Sequence, residues 1–159
     1  MKVLVVFYSL EGNTKLLAKH IAKTLSGDLL EIRPIKRMQS KGLTKYIWGG
    51  RQAMMGSKPE IHPPEKDWKE YDMIFVGTPV WAWTASPPIM SYLAQSGISG
   101  KKVALFCCNE GSPGGTFEKM RLSIPENDFK GEESFFAPLK KEKDETLMKA
   151  VSWAYRVMK

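Results

Sequence analysis

A chain of 159 residues, 43% of them hydrophobic, is long enough to fill one core and fits one domain spanning 1–159. No apolar run approaches the ~20 residues a membrane span needs, and the short N-terminal run lacks a small-residue cleavage site, so it reads as a strand in a cytoplasmic protein. The net charge is +7, and the excess lies between Arg33 and Pro59, where Arg33, Lys36, Arg37, Lys41, Lys45, Arg51 and Lys58 occur with no Asp or Glu.

The elements alternate. Val3-Leu4-Val5-Val6-Phe7-Tyr8 predicts a strand over 2–8, and Leu17, Ala18, Ile21, Ala22 and Leu25 predict a helix over 13–26, ended by Gly27. A second strand is expected at 28–33, stopped by Pro34. The segment 34–70 is long for a crossover. Leu43, Tyr46, Ile47 and Met54 have helical spacing there, interrupted by Gly49-Gly50, and Pro59, Pro63 and Pro64 mark an extended return. A third strand over 72–77 leads into the loop Thr78–Ala85, and a helix begins at Pro87-Pro88 and runs to Gln95. A fourth strand over 102–108 leads through a glycine-rich loop, 109–115, into a helix over 116–122. A fifth strand over 131–137 and a helix over 143–157 complete the chain. Continuous apolar strands separated by helices imply a parallel sheet covered on both faces.

Three loops then share the carboxyl edge of the sheet, where ligands of such folds bind. The first, Ser9-Leu10-Glu11-Gly12-Asn13-Thr14, joins a strand to a helix start. Its hydroxyls, its backbone N–H groups and the helix dipole suit an anion, most simply a phosphate. The bland alternative is an ordinary strand-to-helix turn. No Lys follows Gly12 as a nucleotide-hydrolysing loop requires, and one glycine is too few for a dinucleotide fingerprint. The loop after the third strand carries Trp81 and Trp83, and the loop after the fourth is rich in glycine. The three together describe a phosphate cradle, an aromatic wall and a floor of exposed backbone.

Other residues carry less. Cys107 and Cys108 are adjacent, without Cys-x-x-Cys spacing, and read as reduced strand-end thiols. His20 and His62 lack metal-ligand spacing, so no metal is expected. Trp68 and Trp153 read as packing residues. Glu110 is either a general acid or an ordinary loop charge, the second being the simpler reading. The basic block attracts an acidic partner, nucleic acid or a membrane surface, or is a solvated face.

With these residues in view the chain resembles the flavodoxins. Ser9-Leu10-Glu11-Gly12-Asn13-Thr14 is similar to the family's FMN-phosphate loop. Gly77-Thr78-Pro79-Val80-Trp81 is similar to the loop whose ring flanks the isoalloxazine, and the glycine-rich loop is the third match. The resemblance implies a doubly wound five-stranded α/β sheet, order 2-1-3-4-5, and FMN as cofactor; flavodoxins are among the folds from which the sheet-edge rule is drawn. It implies Ser9, Leu10 (through its N–H), Glu11, Gly12, Asn13 and Thr14 at the phosphate. Thr78, Pro79, Val80, Trp81 and Ala82 would line the flavin, and Cys107, Asn109, Glu110 and Gly111 would approach its other edge. Trp81 is the first candidate for stacking, ahead of Trp83 and Trp48.

An electron carrier between redox partners is the implied function. No catalytic acid or base is expected, because the flavin does the chemistry. An NAD(P)H-dependent FMN/quinone oxidoreductase of the same architecture is the alternative, and a flavin-free binding module a third. Acidic redox partners are expected and nucleic acid is not. Three departures from the family pattern stand out: Glu11 in place of a hydroxyl, the basic charge, and the long 34–70 segment. Ala82 stands where a glycine would ease the turnover of a peptide that the resemblance implies on one-electron reduction, and it is expected to resist that movement.

Overall fold

The computed structural model describes residues 1–36, 56 and 58–159. The helical spacing expected at Leu43–Met54, Trp48, and four of the seven cations of the basic block (Arg37, Lys41, Lys45, Arg51) lie outside the described residues. The elements are β1 (Val3–Phe7), α1 (Asn13–Leu25), β2 (Asp28–Glu31), a 3-10 turn (Trp68–Glu70), β3 (Met73–Trp81), β4 (Thr84–Ala85), α2 (Pro87–Ser96), β5 (Lys102–Asn109), α3 (Thr116–Ser123), β6 (Asp128–Phe136) and α4 (Lys143–Val157). The sheet runs β2-β1-β3-β5-β6 with every neighbour parallel, which is the expected order of five parallel strands. A sixth strand, β4, folds back antiparallel on the end of β3.

Strand alternation explains how both faces are covered. Val3, Val5 and Phe7 of β1, Met73 and Phe75 of β3, and Ala104, Phe106 and Cys108 of β5 point to one face, where α1 and α4 cover them. Leu4, Val6, Ile74, Val76, Val103 and Leu105 point to the other face and meet α2 and Met120 of α3. Because every inner position is apolar on both sides, the strands read as continuous hydrophobic runs. Trp153 of α4 is buried edge-on against Phe75 (5.6 Å), Phe106 and Phe135, a packing role as expected. The Trp68 indole donates to the Ser96 carbonyl (2.8 Å) and packs half-buried on the second face.

Several boundaries move, each for a local reason. The loop expected from Thr78 is largely strand: Thr78 and Pro79 keep pairing with Cys107 and Cys108, and the chain reverses only at Ala82-Trp83. The last strand starts at Asp128, because Phe129 already faces Val103; an extra residue, Lys130, then shifts the register so that Gly131 faces Ala104. At the end of α1 the left-handed residue is Ser26 (φ 51°), and Gly27 instead lies against Val3, where a Cβ would come within 3.1 Å. Beyond β2, Pro34 pairs with Ile61 in an isolated antiparallel bridge, which fixes both ends of the intervening segment.

Among the described residues no helix is long and apolar enough to cross a membrane.

Candidate functional site

The first loop is built to leave donors unused. Gly12 sits at φ 102°, in the left-handed region, as the residue before α1. The first N–H bonded within the helix is that of Leu16, to the Gly12 carbonyl (2.9 Å), so those of Asn13, Thr14 and Lys15 have no helical acceptor. The Ser9 hydroxyl accepts the Gly12 N–H (3.1 Å), which leaves its own proton to donate. Among the described residues four buried side-chain oxygens lack a hydrogen-bond partner: those of Thr14, Thr84, Tyr92 and Thr116. Of these only Thr14 lines the cleft described next. The Cys108 thiol beside it is a weak partner.

That cleft has a volume of about 210 Å³ and lies at the carboxyl ends of β1, β3 and β5. It brings together Ser9, Leu10, Glu11, Asn13 and Thr14 with Pro79, Val80, Trp81 and Ala82, and with Asn109 and Glu110. Trp81 is half-buried, its ring edge-on to Tyr8 (5.7 Å, 86°). Burial, with a smaller push from the Glu31 charge, raises the Tyr8 phenol well above its ordinary range, so the wall behind Trp81 is neutral. Glu11 is exposed at the rim, so its carboxylate need not crowd an anion at the helix start. Glu110 is bound by Lys140 (2.7 Å), which ties the loop after β5 to the loop after β6.

Four expected residues do not line the cleft, and each has a physical reason. The Thr78 hydroxyl is fully buried: it accepts the Ser86 N–H and shares a hydrogen bond with the Ser86 hydroxyl (both 2.9 Å), tying the hairpin to α2. Cys107 alternates to the face opposite Cys108, and Cys108 is the thiol at the cleft, pushed up to about 12 by burial although Thr14 opposes the rise. The Gly111 N–H is taken by the Asn109 side chain (3.0 Å), whose amide also donates to the Ser134 hydroxyl. Gly12 contributes its conformation rather than a surface.

The glycine-rich loop likewise is not a bare floor. A Cβ at Gly114 would lie 2.5 Å from both Cβ and O of Trp83, and the Gly115 N–H donates to the Trp83 carbonyl (2.9 Å). These glycines exist to let the loop clasp the Ala82-Trp83 turn. Both turn residues have positive φ (48° and 58°) between paired Trp81 and Thr84, the type I′ geometry that glycine or asparagine normally supplies. Trp83 itself is 70% exposed and does not line the cleft. Gly77 answers to packing: a Cβ there would fall 2.1 Å from the Phe106 ring.

Sequence reasoning missed two wall components. Cys108 was masked by its neighbour, and Ala137 enters from the turn after β6. That turn is held by the Asn13 side chain, which accepts the Leu139 N–H (2.8 Å) across 126 residues. Pro138 was the only local signal that the chain turns there.

The match to the flavodoxin family model extends over residues 2–149. This chain belongs to the flavodoxin family. Among solved structures, a flavoprotein in complex with FMN from Lactobacillus acidophilus is similar at 22% identity, covering 91% of this chain and 97% of that one with a TM-score of 0.72. A provisionally assigned flavoprotein from Bacteroides eggerthii is similar at 21% identity over 99% and 98%, with a TM-score of 0.77. Oxidised flavodoxin 2 from Bacillus cereus is similar at 19% identity over 99% and 98%, with a TM-score of 0.60. At such identities the likeness is one of fold. No curated protein matches the chain in sequence. The family's cofactor fits what the loop offers: an unpartnered buried hydroxyl and a helix start with free N–H groups need an anion of phosphate character to complete them.

Proposed function

We propose that the chain is one FMN-binding domain that carries electrons between redox partners. The observation carrying this reading is the unpartnered Thr14 hydroxyl at the start of α1, inside a cleft walled by Trp81. Ser9, Asn13 and Thr14, with the N–H groups of the loop and helix start, would hold the phosphate. Pro79, Val80, Trp81 and Ala82 would line one side of the flavin, and Cys108, Asn109 and Glu110 would line the other. FMN, when bound, supplies the reversible one- and two-electron chemistry, and the protein sets access and potential. The Glu110–Lys140 ion pair links two walls of the cleft. Two buried free thiols suit a reducing compartment, and we assign the protein to the cytoplasm on that basis.

Two measurements test this. FMN is expected to bind more tightly than riboflavin by several kcal/mol, since each charge-assisted bond to the phosphate is worth roughly 1.5–3; equal affinities in a fluorescence titration refute it. The FMN-loaded protein is expected to keep its visible absorbance with NADH or NADPH alone and to lose it to dithionite or through a reductase partner. Bleaching by a nicotinamide cofactor alone makes it the oxidoreductase instead.

A further inference from the structure

A second cleft, about 820 Å³, lies on the β2 side of the first loop and shares Ser9 and Leu10 with the cleft above. Among the described residues its walls are Tyr8, Ile32, Pro34 and Ile35 with Lys15, Glu31, Arg33 and His62. Its outer wall is a clamp. The Pro34–Ile61 bridge is closed by two backbone hydrogen bonds, His62 N–H to the Arg33 carbonyl (2.8 Å) and Ile35 N–H to the Glu60 carbonyl (2.9 Å). Ile61 points into the core, so by alternation Arg33 and His62, opposite one another, project outward together.

The charges in the cleft are unevenly used. Glu31 is held by Lys15 through both oxygens (2.9 and 3.2 Å). The Arg33 and His62 side chains, both exposed, make no hydrogen bond or ion pair among the described residues. Glu60 shares their outward face but does not line the cleft. Two donors are thus held side by side on bridged backbone, with no acceptor among the described residues. Beside them Ile35 is left 51% exposed, and Leu10 forms the wall toward the first cleft. A paired guanidinium and imidazole suit the several oxygens of a phosphate. A cavity of this size, with an apolar wall, takes more than an inorganic ion.

We propose that this cleft binds a phosphate-bearing nucleotide, its phosphates on Arg33 and His62 and its base on Ile35 and Leu10. This gives part of the basic block a use that the flavin cleft leaves unassigned, and it does not depend on the electron-carrier reading.

The test is calorimetric titration of the FMN-loaded protein with ADP, with flavin fluorescence followed in parallel. One saturable site is expected, weakened about tenfold in Arg33→Ala, the scale of one lost charge-assisted hydrogen bond. Inorganic phosphate is expected to bind the same site more weakly and to be indifferent to Ile35→Ser, whereas ADP is not. Because Arg33 and Ile35 are exposed, neither change threatens folding. NADPH as a third probe separates two sources of the same chemistry. Binding with loss of flavin absorbance identifies the nucleotide as the reductant, which overturns the carrier reading and keeps the cleft. Binding without it identifies a nucleotide that is not oxidised. No saturable ADP binding, binding unchanged in Arg33→Ala, or release of FMN by ADP (occupancy of the phosphate loop instead) overturns the proposal.

Discussion

The loops after β1 and β5 look alike in sequence, small and polar with glycines, and the structure uses them in opposite ways. In Ser9–Thr14 the N–H groups at the helix start and the Thr14 hydroxyl are left without acceptors. In Asn109–Gly115 most of the side-chain polar groups and the glycine N–H groups are used within the protein: Asn109 serves Gly111 and Ser134, Ser112 accepts from Gly114, and Gly115 serves Trp83. An unfinished loop is where a ligand completes the structure; a finished one is scaffold. Composition does not distinguish them, because the difference lies in which acceptor each donor meets.

The comparison breaks most visibly at Gly114. Its φ is +53° and a Cβ would meet the Trp83 backbone oxygen at 2.5 Å, a contact that cannot yield as a side-chain tip would. Gly114→Ala is expected to cost about 3 kcal/mol or more, from left-handed strain of roughly 1–2 kcal/mol plus displacement of the turn. At Gly12 the φ is also positive, but the nearest atom is the Leu139 methyl at 3.2 Å, so Gly12→Ala should cost clearly less. Equal losses in urea denaturation would contradict the distinction between scaffold and cradle.

Thr14 sharpens it from the other side. Thr14→Val removes a buried hydroxyl whose partner in the FMN-free protein is no better than the weak Cys108 thiol. The FMN-free stability should stay level or rise, since deleting an unsatisfied group removes a desolvation penalty of about 1–3 kcal/mol. FMN affinity should fall about tenfold or more while riboflavin affinity holds. A parallel loss of both affinities would mean that Thr14 shapes the ring site rather than the phosphate site.

The thiols at the root of the finished loop give a pH dependence. Burial pushes Cys107 up to about 11 and Cys108 to about 12, above the ordinary thiol value near 8.5. An unfolded thiol ionises first, so above pH 8.5 the unfolded chain binds fewer protons than the native one and stability falls as pH rises. The contribution is fully present below about 8.5 and is lost toward 11–12, at about 1.4 kcal/mol per pH unit for each thiol. Denaturation midpoints in Cys107→Ala and Cys108→Ala should flatten over that interval, and neither thiol should react with Ellman's reagent in the native protein at pH 8.

The sheet was legible because its physics is local. Val3–Phe7, Met73–Val76 and Val103–Phe106 are apolar at every position, and only a sheet covered on both faces buries all of them. The anion loop was legible for the same reason: hydroxyls, a glycine and a helix start lie within six residues. What escaped depends on distant partners. Thr78 reads as a ligand residue until Ser86 is seen to take its hydroxyl, and Ala137 has no chemistry to announce it. Gly114 and Gly115 read as exposed backbone until Trp83 is seen lying on them.

The smallest expected effect tests the hairpin where the two loops meet. Sequence alone suggests that alanine at 82 resists a left-handed conformation and that glycine would therefore favour it. The structure has Ala82 there already, at φ 48°, with Trp83 beside it at 58° and the Trp83 carbonyl bonded to Gly115. The strain, roughly 1–2 kcal/mol for such a residue, is borne by the folded chain and held by the glycine clasp. Ala82→Gly relieves it but also loosens the unfolded chain by about 0.4–1 kcal/mol, so the net gain in stability should be at most about 1.5 kcal/mol. A bias of 1 kcal/mol between two flavin oxidation states would equal about 40 mV in a one-electron couple. If the clasp keeps the turn in this conformation in both oxidation states, the first reduction potential of the FMN-loaded Ala82→Gly protein should move by much less than that. A shift of about 40 mV or more in a spectroelectrochemical titration would mean that the clasp opens during reduction, and Gly115 would then have to release the Trp83 carbonyl.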